Sequence, residues 1–185
     1  MIIGLSGTFG SGKDTVADYL INQKKFQHIS LSDLIREEAK KRGLGIDRDS
    51  LRNLGNILAS EIGEDALARM AIKRKKSANL VISSIRKPKE VDYLKSLTNF
   101  ILIFVDAPIK LRFNRMSKRK RVGEESMTFD ELKEKENLEM SGKSSQRLDY
   151  CKKMADKVIL NTGTLENLYK KVDVVLNKLK ASHNE

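Results

Sequence analysis

The fold is decided in the first stretch of the chain, Met1 to Gln23, which reads MIIGLS-GTFGSGKDT-VADYLINQ. Met1 to Leu5 is an apolar run of strand length, and residues 14–23 carry a helical pattern. Between them, Gly7 to Lys13 has the spacing GxxxxGK. In a strand-to-helix turn, glycines at this spacing let backbone N–H groups point inward around phosphate oxygens. The start of the following helix adds more N–H groups and the positive end of a dipole. Gly7, Gly10, Ser11, Gly12, Lys13, Asp14 and Thr15 are therefore the candidate phosphate-binding residues, with Lys13 bridging the terminal phosphates. A plain glycine-rich turn is the competing reading; the position, the spacing and the lysine all count against it. The glycines are ordered GxxGxG rather than GxGxxG, and no acidic residue closes the second apolar run, so a dinucleotide fold is disfavoured.

Further along, strand-length apolar runs recur at 26–31, 80–82, 100–105 and 158–160. Phe100 to Val105, FILIFV, has no polar alternation, as expected of a strand buried on both faces of a parallel sheet. Helical patterns lie between, at 33–41, 50–62, 65–75, 89–97, 109–120, 128–140 and 165–179. The alternation predicts an α/β, doubly wound sheet of about five parallel strands flanked by helices, with ligands beyond the carboxyl ends of the strands. The 185 residues make one domain, 1–185. Two stretches are too long to be connections: about 32–76, read as about four short helices, and about 112–155. At the ligand edge of a sheet such insertions serve as binding arms and lids.

Composition narrows the chemistry. The single cysteine, Cys151, excludes an intrachain disulfide framework, and with only His28 and His183 beside it no metal cage is encoded. No apolar run approaches a membrane span and the first residues do not read as a secretion signal, so a cytoplasmic location without membrane partners is expected. The net charge of +11 favours phosphate-rich partners, whether nucleic acid or small nucleotides and coenzymes. Aromatic residues are only 5% and tryptophan is absent, which leaves few platforms for stacking bases and disfavours nucleic acid.

Arginines mark the acceptor side. Ser32 is the expected N-cap of a helix carrying Asp33 and, one turn in, Arg36. Arg86 stands just past the third strand, in Ser83-Ser84-Ile85-Arg86-Lys87-Pro88. Two arginines from separate elements at one edge can clamp a phosphate with forked hydrogen bonds. From Lys110 to Arg121 seven residues are basic and none acidic, and on a helix Arg112, Arg115 and Arg119 share a face. In a lid, those cations stabilise charge on a transferring phosphoryl group. For residues other than Arg115 and Arg119 a solvated basic face is the preferred reading.

Taken together, these motifs resemble the P-loop NTPase fold in its kinase form, that of the nucleoside monophosphate kinase superfamily. The chain looks most like dephospho-coenzyme A kinases with their nucleotide kinase-like relatives, and like viral-type deoxynucleoside monophosphate kinases, whose loop also ends GKDT. The resemblance implies ATP and Mg²⁺ as cofactors. It implies transfer of the γ-phosphoryl group to a nucleoside or deoxynucleoside monophosphate or to dephospho-coenzyme A. Arg36, with Asp33 beside it, and Arg86 become acceptor contacts, and Arg115 and Arg119 contact the phosphates of both substrates. Asn161 and Gly163, in Asn161-Thr162-Gly163-Thr164, would pack on the donor base; a loop and N-cap before the last helix is the other reading. Relatives often carry Asp where this chain has Ser83, so Asp33, Asp14 or Asp106 must supply the carboxylate. Asp14 and Thr15 are the candidate Mg²⁺ ligands, although Asp14 also suits the N-terminal dipole of its helix. Asp33 is the candidate base if the acceptor is a hydroxyl. An ATPase or switch acting on nucleic acid or a protein partner is the alternative function.

Overall fold

A computed structural model describes residues 1–119, 127–140 and 146–181. Its elements follow in the order β1 (Ile2–Gly7), α1 (Lys13–Asn22), β2 (Gln27–Ser30), α2 (Leu31–Lys41), α3 (Arg48–Glu61), α4 (Ala66–Lys73), β3 (Leu80–Ser83) and α5 (Pro88–Lys95). Then come β4 (Phe100–Asp106), α6 (Ile109–Arg119), α7 (Phe129–Met140), α8 (Leu148–Lys153), β5 (Lys157–Leu160) and α9 (Leu165–Ala181). The strands form one five-stranded sheet in the order β2-β3-β1-β4-β5. Every pairing is parallel, with Ile2 opposite Leu80 on one side of β1 and opposite Phe100 on the other. The fold is the α/β P-loop NTPase fold expected from the sequence.

Side chains alternate across the sheet and both faces are covered, so the central strands are apolar at nearly every position. Ile2, Leu80, Ile82, Leu102 and Phe104 enter one core, packed against α2, α4, α5 and α8. Ile3, Leu5, Val81, Ile103 and Val105 enter the other, against α1 and α9. β5 lies at an edge, and only Ile159 of its four residues is buried. A third, smaller core of Ala39, Leu54, Leu58 and Ala66 holds the 32–76 insertion together.

Three details depart from the sequence reading. Helix α2 begins at Leu31, and its N-cap is Ser30, whose Oγ accepts from the Asp33 N–H at 3.3 Å; Ser32 lies inside the first turn. The insertion holds three helices, α2 to α4, rather than about four. Helix α8 was not anticipated; at six residues it is too short to show a period, and it is held by Leu148 and Cys151 in the core.

Because the sheet is parallel, β1, β2, β3 and β4 end together, bringing Gly7, Ser30, Ser83 and Asp106 to one edge. Gly4, in mid β1, lets the Phe100 ring lie across the strand: a Cβ there would come 2.5 Å from Phe100 Cζ and 2.8 Å from Ile85 Cδ1. Gly4→Ala is therefore expected to overpack the core and cost about 1–3 kcal/mol, read as a lower urea midpoint at unchanged slope.

Candidate functional site

The loop from Gly7 to Gly12 is shaped by groups that grip it from outside. Gly10 (φ +69°) and Gly12 (φ +96°) adopt left-handed backbone that glycine accepts without strain. Gly12 caps α1 with no side-chain hydrogen bond. Arg112 Nη1 donates to the Phe9 carbonyl at 3.1 Å, and Asn161 Nδ2 donates to the Ser11 carbonyl at 2.8 Å. In a trans peptide the next N–H points opposite to the carbonyl, so these two bonds turn the N–H groups of Gly10 and Gly12 the other way. Thr8 Oγ1 donates to Asp106 Oδ1 at 3.2 Å and fixes the loop to the end of β4. Lys13, Asp14 and Thr15 form the first turn of α1, all half-buried.

Behind the loop two polar atoms are buried without a hydrogen-bond partner among the described residues, Ser11 Oγ and Arg115 Nη1. Asn161 joins them: it holds the Ser11 carbonyl with its amide nitrogen and accepts weakly from Arg115 Nη2 at 3.4 Å with its oxygen. Burial disfavours the charged guanidinium and pulls the Arg115 pKa below its ordinary value. An unsatisfied buried donor costs about 1–3 kcal/mol, a debt that an anionic ligand beside the loop would cancel.

The acceptor edge is built differently. Arg36 is half-exposed and donates to the Ser32 carbonyl at 2.8 Å and to Asp33 Oδ1 at 3.3 Å. Arg86 Nη1 donates to Glu139 Oε1 at 3.0 Å and to Gln146 Oε1 at 3.1 Å, with its guanidinium 5.2 Å from the centre of the Phe9 ring. Past the ends of β2 and β3 the hydroxyls of Ser30, Ser32 and Ser84 make a cluster with oxygen separations of 2.9 to 3.5 Å. Ser84 has φ +65°, a conformation that favours glycine. Ser83 Oγ lies 2.8 Å from His28 Nε2, and burial lowers the pKa of that imidazole, opposed by Asp33, Asp18 and Asp14.

The structure thus places Gly7, Gly10, Ser11, Gly12, Lys13, Asp14, Thr15, Arg115 and Asn161 around one loop. Arg36, Asp33 and Arg86 lie at the ends of β2 and β3. Asn161 is buried, whereas Gly163 is exposed in the turn before α9, where Thr164 Oγ1 accepts from the Asn167 N–H. Asp106 is engaged by Thr8, by the Ala107 N–H and by Lys152 Nζ at 2.7 Å, and Asp33 accepts from Arg36 at 3.3 Å. Arg119 closes α6, but its side chain, with Lys120, Arg121, Gly123 and Gly142 of the anticipated lid, lies outside the described residues.

The structure corrects the expected setting of one arginine and adds two glutamates that the sequence does not single out. Arg112 is buried rather than on a solvated face. Glu136 and Glu139, one turn apart on α7, reach Arg112 and Arg86. The only local signal was their i,i+3 spacing in a helix otherwise dense with charge.

The model of the AAA domain family matches residues 6–133. The UPF0200 protein of Pyrococcus horikoshii is 30% identical over 97% of this chain and 97% of its own length. The chain belongs to the AAA domain family, and its relatives are UPF0200 proteins. The Thermococcus gammatolerans UPF0200 protein is 28% identical over 97% of this chain and 95% of its length. The UPF0200/UPF0201 protein of Archaeoglobus fulgidus is 31% identical over 96% of this chain, but the chain spans only 55% of that relative. Two solved structures share the fold. The Thermus thermophilus protein TT1252 is 23% identical, with TM-score 0.66 and coverage of 97% of each chain. Shikimate kinase from Acinetobacter baumannii, in complex with shikimate, is 17% identical, with TM-score 0.63 and coverage of 96% of this chain and 93% of that one. The chain thus shares the α/β P-loop NTPase fold with both of these structures.

One support of the site carries a pH signature. Glu90 Oε2 accepts from the backbone N–H groups of Arg86 and Lys87, both at 3.0 Å, and sets the turn on which Arg86 stands. Burial pushes its carboxyl above the ordinary 4.5, although the two N–H groups oppose the shift. As pH rises past 4.5 the unfolded chain releases this proton first, so the folded state loses stability until its own higher pKa is passed. In Glu90→Gln this contribution disappears: the parent's stability relative to the variant is expected to fall across that window, read from urea midpoints at several pH values.

Proposed function

We propose that this AAA-domain chain is an ATP-dependent phosphotransferase that moves the γ-phosphoryl group of Mg-ATP to a nucleotide or nucleotide-like acceptor. The observation that carries the reading is the loop with its two unsatisfied buried groups, Ser11 Oγ and Arg115 Nη1, joined through Asn161. A bound triphosphate supplies the acceptors those groups lack. The Gly10 and Gly12 N–H groups and Lys13 take the β- and γ-phosphates, and Arg115 reaches the transferring group from α6. Asp14 and Thr15, in the first turn of α1, suit a hard oxygen-seeking cation held directly or through water. A Mg²⁺ ion held by these two residues would neutralise charge developing on the phosphate oxygens.

On the other side Arg36 and Arg86 receive the anionic end of the acceptor. Catalysis of this kind is positioning and charge stabilisation, so no nucleophilic side chain is needed. An acceptor phosphate is already an anion and needs no base, whereas a ribose hydroxyl would use Asp33. In this reading the chain works as one domain, with 32–76 as acceptor arm and 112–155 as lid. No described helix is long and apolar enough to cross a membrane.

ADP release from Mg-ATP, measured over a panel of ribo- and deoxynucleoside monophosphates, dephospho-coenzyme A and no acceptor, tests the reading. One acceptor is expected to raise turnover far above background, and Lys13→Ala to reduce it by about 100-fold or more. Arg36→Met and Arg86→Met are expected to raise the acceptor KM by about tenfold while leaving the ATP KM near its parent value. Asp33→Asn should lower kcat strongly only if the accepting group is a hydroxyl. Turnover indifferent to every acceptor would overturn the reading and point to the ATPase or switch.

A further inference from the structure

The first inward arginine of α6 does something other than meet substrate. Arg112 is 2% exposed, and its guanidinium binds three separate elements. Nε donates to the Ala107 carbonyl at the exit of β4, at 2.6 Å. Nη1 donates to the Phe9 carbonyl at the crown of the phosphate loop, at 3.1 Å. Nη2 donates to both oxygens of Glu136, at 2.8 and 2.6 Å. Only the planar fork of arginine reaches three acceptors in this way, because a lysine places a single point charge. Helix α6 also seats the loop by contact: a Cβ on Gly10 would lie 2.9 Å from the Arg112 carbonyl oxygen and 3.0 Å from Met116 Cγ.

We propose that Arg112 and Glu136 are a positioning pair through which the docking of α7 sets the shape of the phosphate loop. A buried ion pair adds little net stability over an apolar filling, but loss of either partner leaves a buried charge uncompensated. With α7 docked, Glu136 holds the guanidinium so that Nη1 points at Phe9, and the loop N–H groups face the ligand side. With Glu136 removed, the guanidinium is drawn toward solvent and the Phe9 carbonyl is released. The neighbouring inward carboxylate on α7, Glu139, holds Arg86, so one helix carries a contact to each side of the site. The proposal deepens the reading above only in what the loop binds; the positioning itself is a property of the ligand-free chain.

Hydrogen exchange on the full chain without ligand, followed by mass spectrometry, tests it in Arg112→Lys and Glu136→Gln. The second variant keeps shape and removes only charge at a partly exposed position. In both, peptides covering residues 6–16 are expected to exchange about tenfold faster, while peptides covering β4 stay at parent rates. The dissociation constant for Mg-ATP, by calorimetry at a temperature where each variant is folded, is expected to rise about tenfold in both. If Glu136→Gln speeds exchange in α7 but leaves residues 6–16 at the parent rate, the pair merely anchors the helix and the proposal fails. Equal rates over the whole chain also overturn it. A parent chain that binds no Mg-ATP would sink the phosphotransferase reading, while the exchange comparison would still decide the role of the pair.

Discussion

The site depends on the orientation of two peptide units in the loop after β1. A phosphate-binding concavity needs several N–H groups pointing inward, and such groups repel one another when no anion is present. Something must therefore hold the opposite ends of those peptides. Here the carbonyls of Phe9 and Ser11 are taken by Arg112 and Asn161, which arrive from α6 and from the end of β5. Those elements are in reach only because β1 lies mid-sheet beside β4, with β5 next out. The sheet order is thus what makes the loop's backbone geometry attainable, and the glycines then make it free of side-chain strain.

The charge of the chain is less available than its sum suggests. Arg42 is shared by Glu38 and Glu61, Arg69 is held by Asp65, Arg74 by Glu37 and Arg147 by Asp149. The arginines of these pairs are 32–47% exposed, and water screens such pairs so that they add little stability. Their effect is to consume cations, Arg74 among them, in the middle of the basic run Lys73 to Lys76. Two pairs differ. Arg112 with Glu136 and Arg86 with Glu139 are largely out of solvent, where screening is weak and geometry decides the energy. Both sit at the site, and both draw their carboxylate from α7.

Local sequence carried the sheet and the loop because each has a local cause. Burial on both faces writes β4 as an unbroken apolar run, and the left-handed turns write glycine into the loop. Ser84 carries the trace of a similar constraint: its φ of +65° lies in the left-handed region that favours glycine. What stayed hidden has non-local causes. Ser30 rather than Ser32 caps α2, yet both are serines at a strand end and spacing alone does not separate them. Arg112 lies on the same helical stripe as Arg115, and nothing within a few residues says that one is consumed and the other partly unsatisfied. That difference is made by Glu136, 24 positions away. For Asn161 the sequence offered a loop asparagine; its burial against Ser11 requires α9 and the loop to be packed together, which no local pattern encodes.

Under the proposed function, the same non-locality bears on how an acceptor is admitted. Arg86 is not an open cation waiting at the strand end: Glu139, only 9% exposed, and Gln146 already accept from it, and the Phe9 ring lies beneath. An anionic acceptor arriving there competes with an internal carboxylate, so its affinity reflects the difference between two ion pairs rather than the full value of one. Arg36 faces no such buried rival, since its partner Asp33 is itself exposed and the pair is screened by water. For the proposed anionic acceptor, capture by Arg36 followed by exchange at Arg86 is the order these environments favour. It ties acceptor entry to the release of one α7 carboxylate, while the other keeps the phosphate loop in shape.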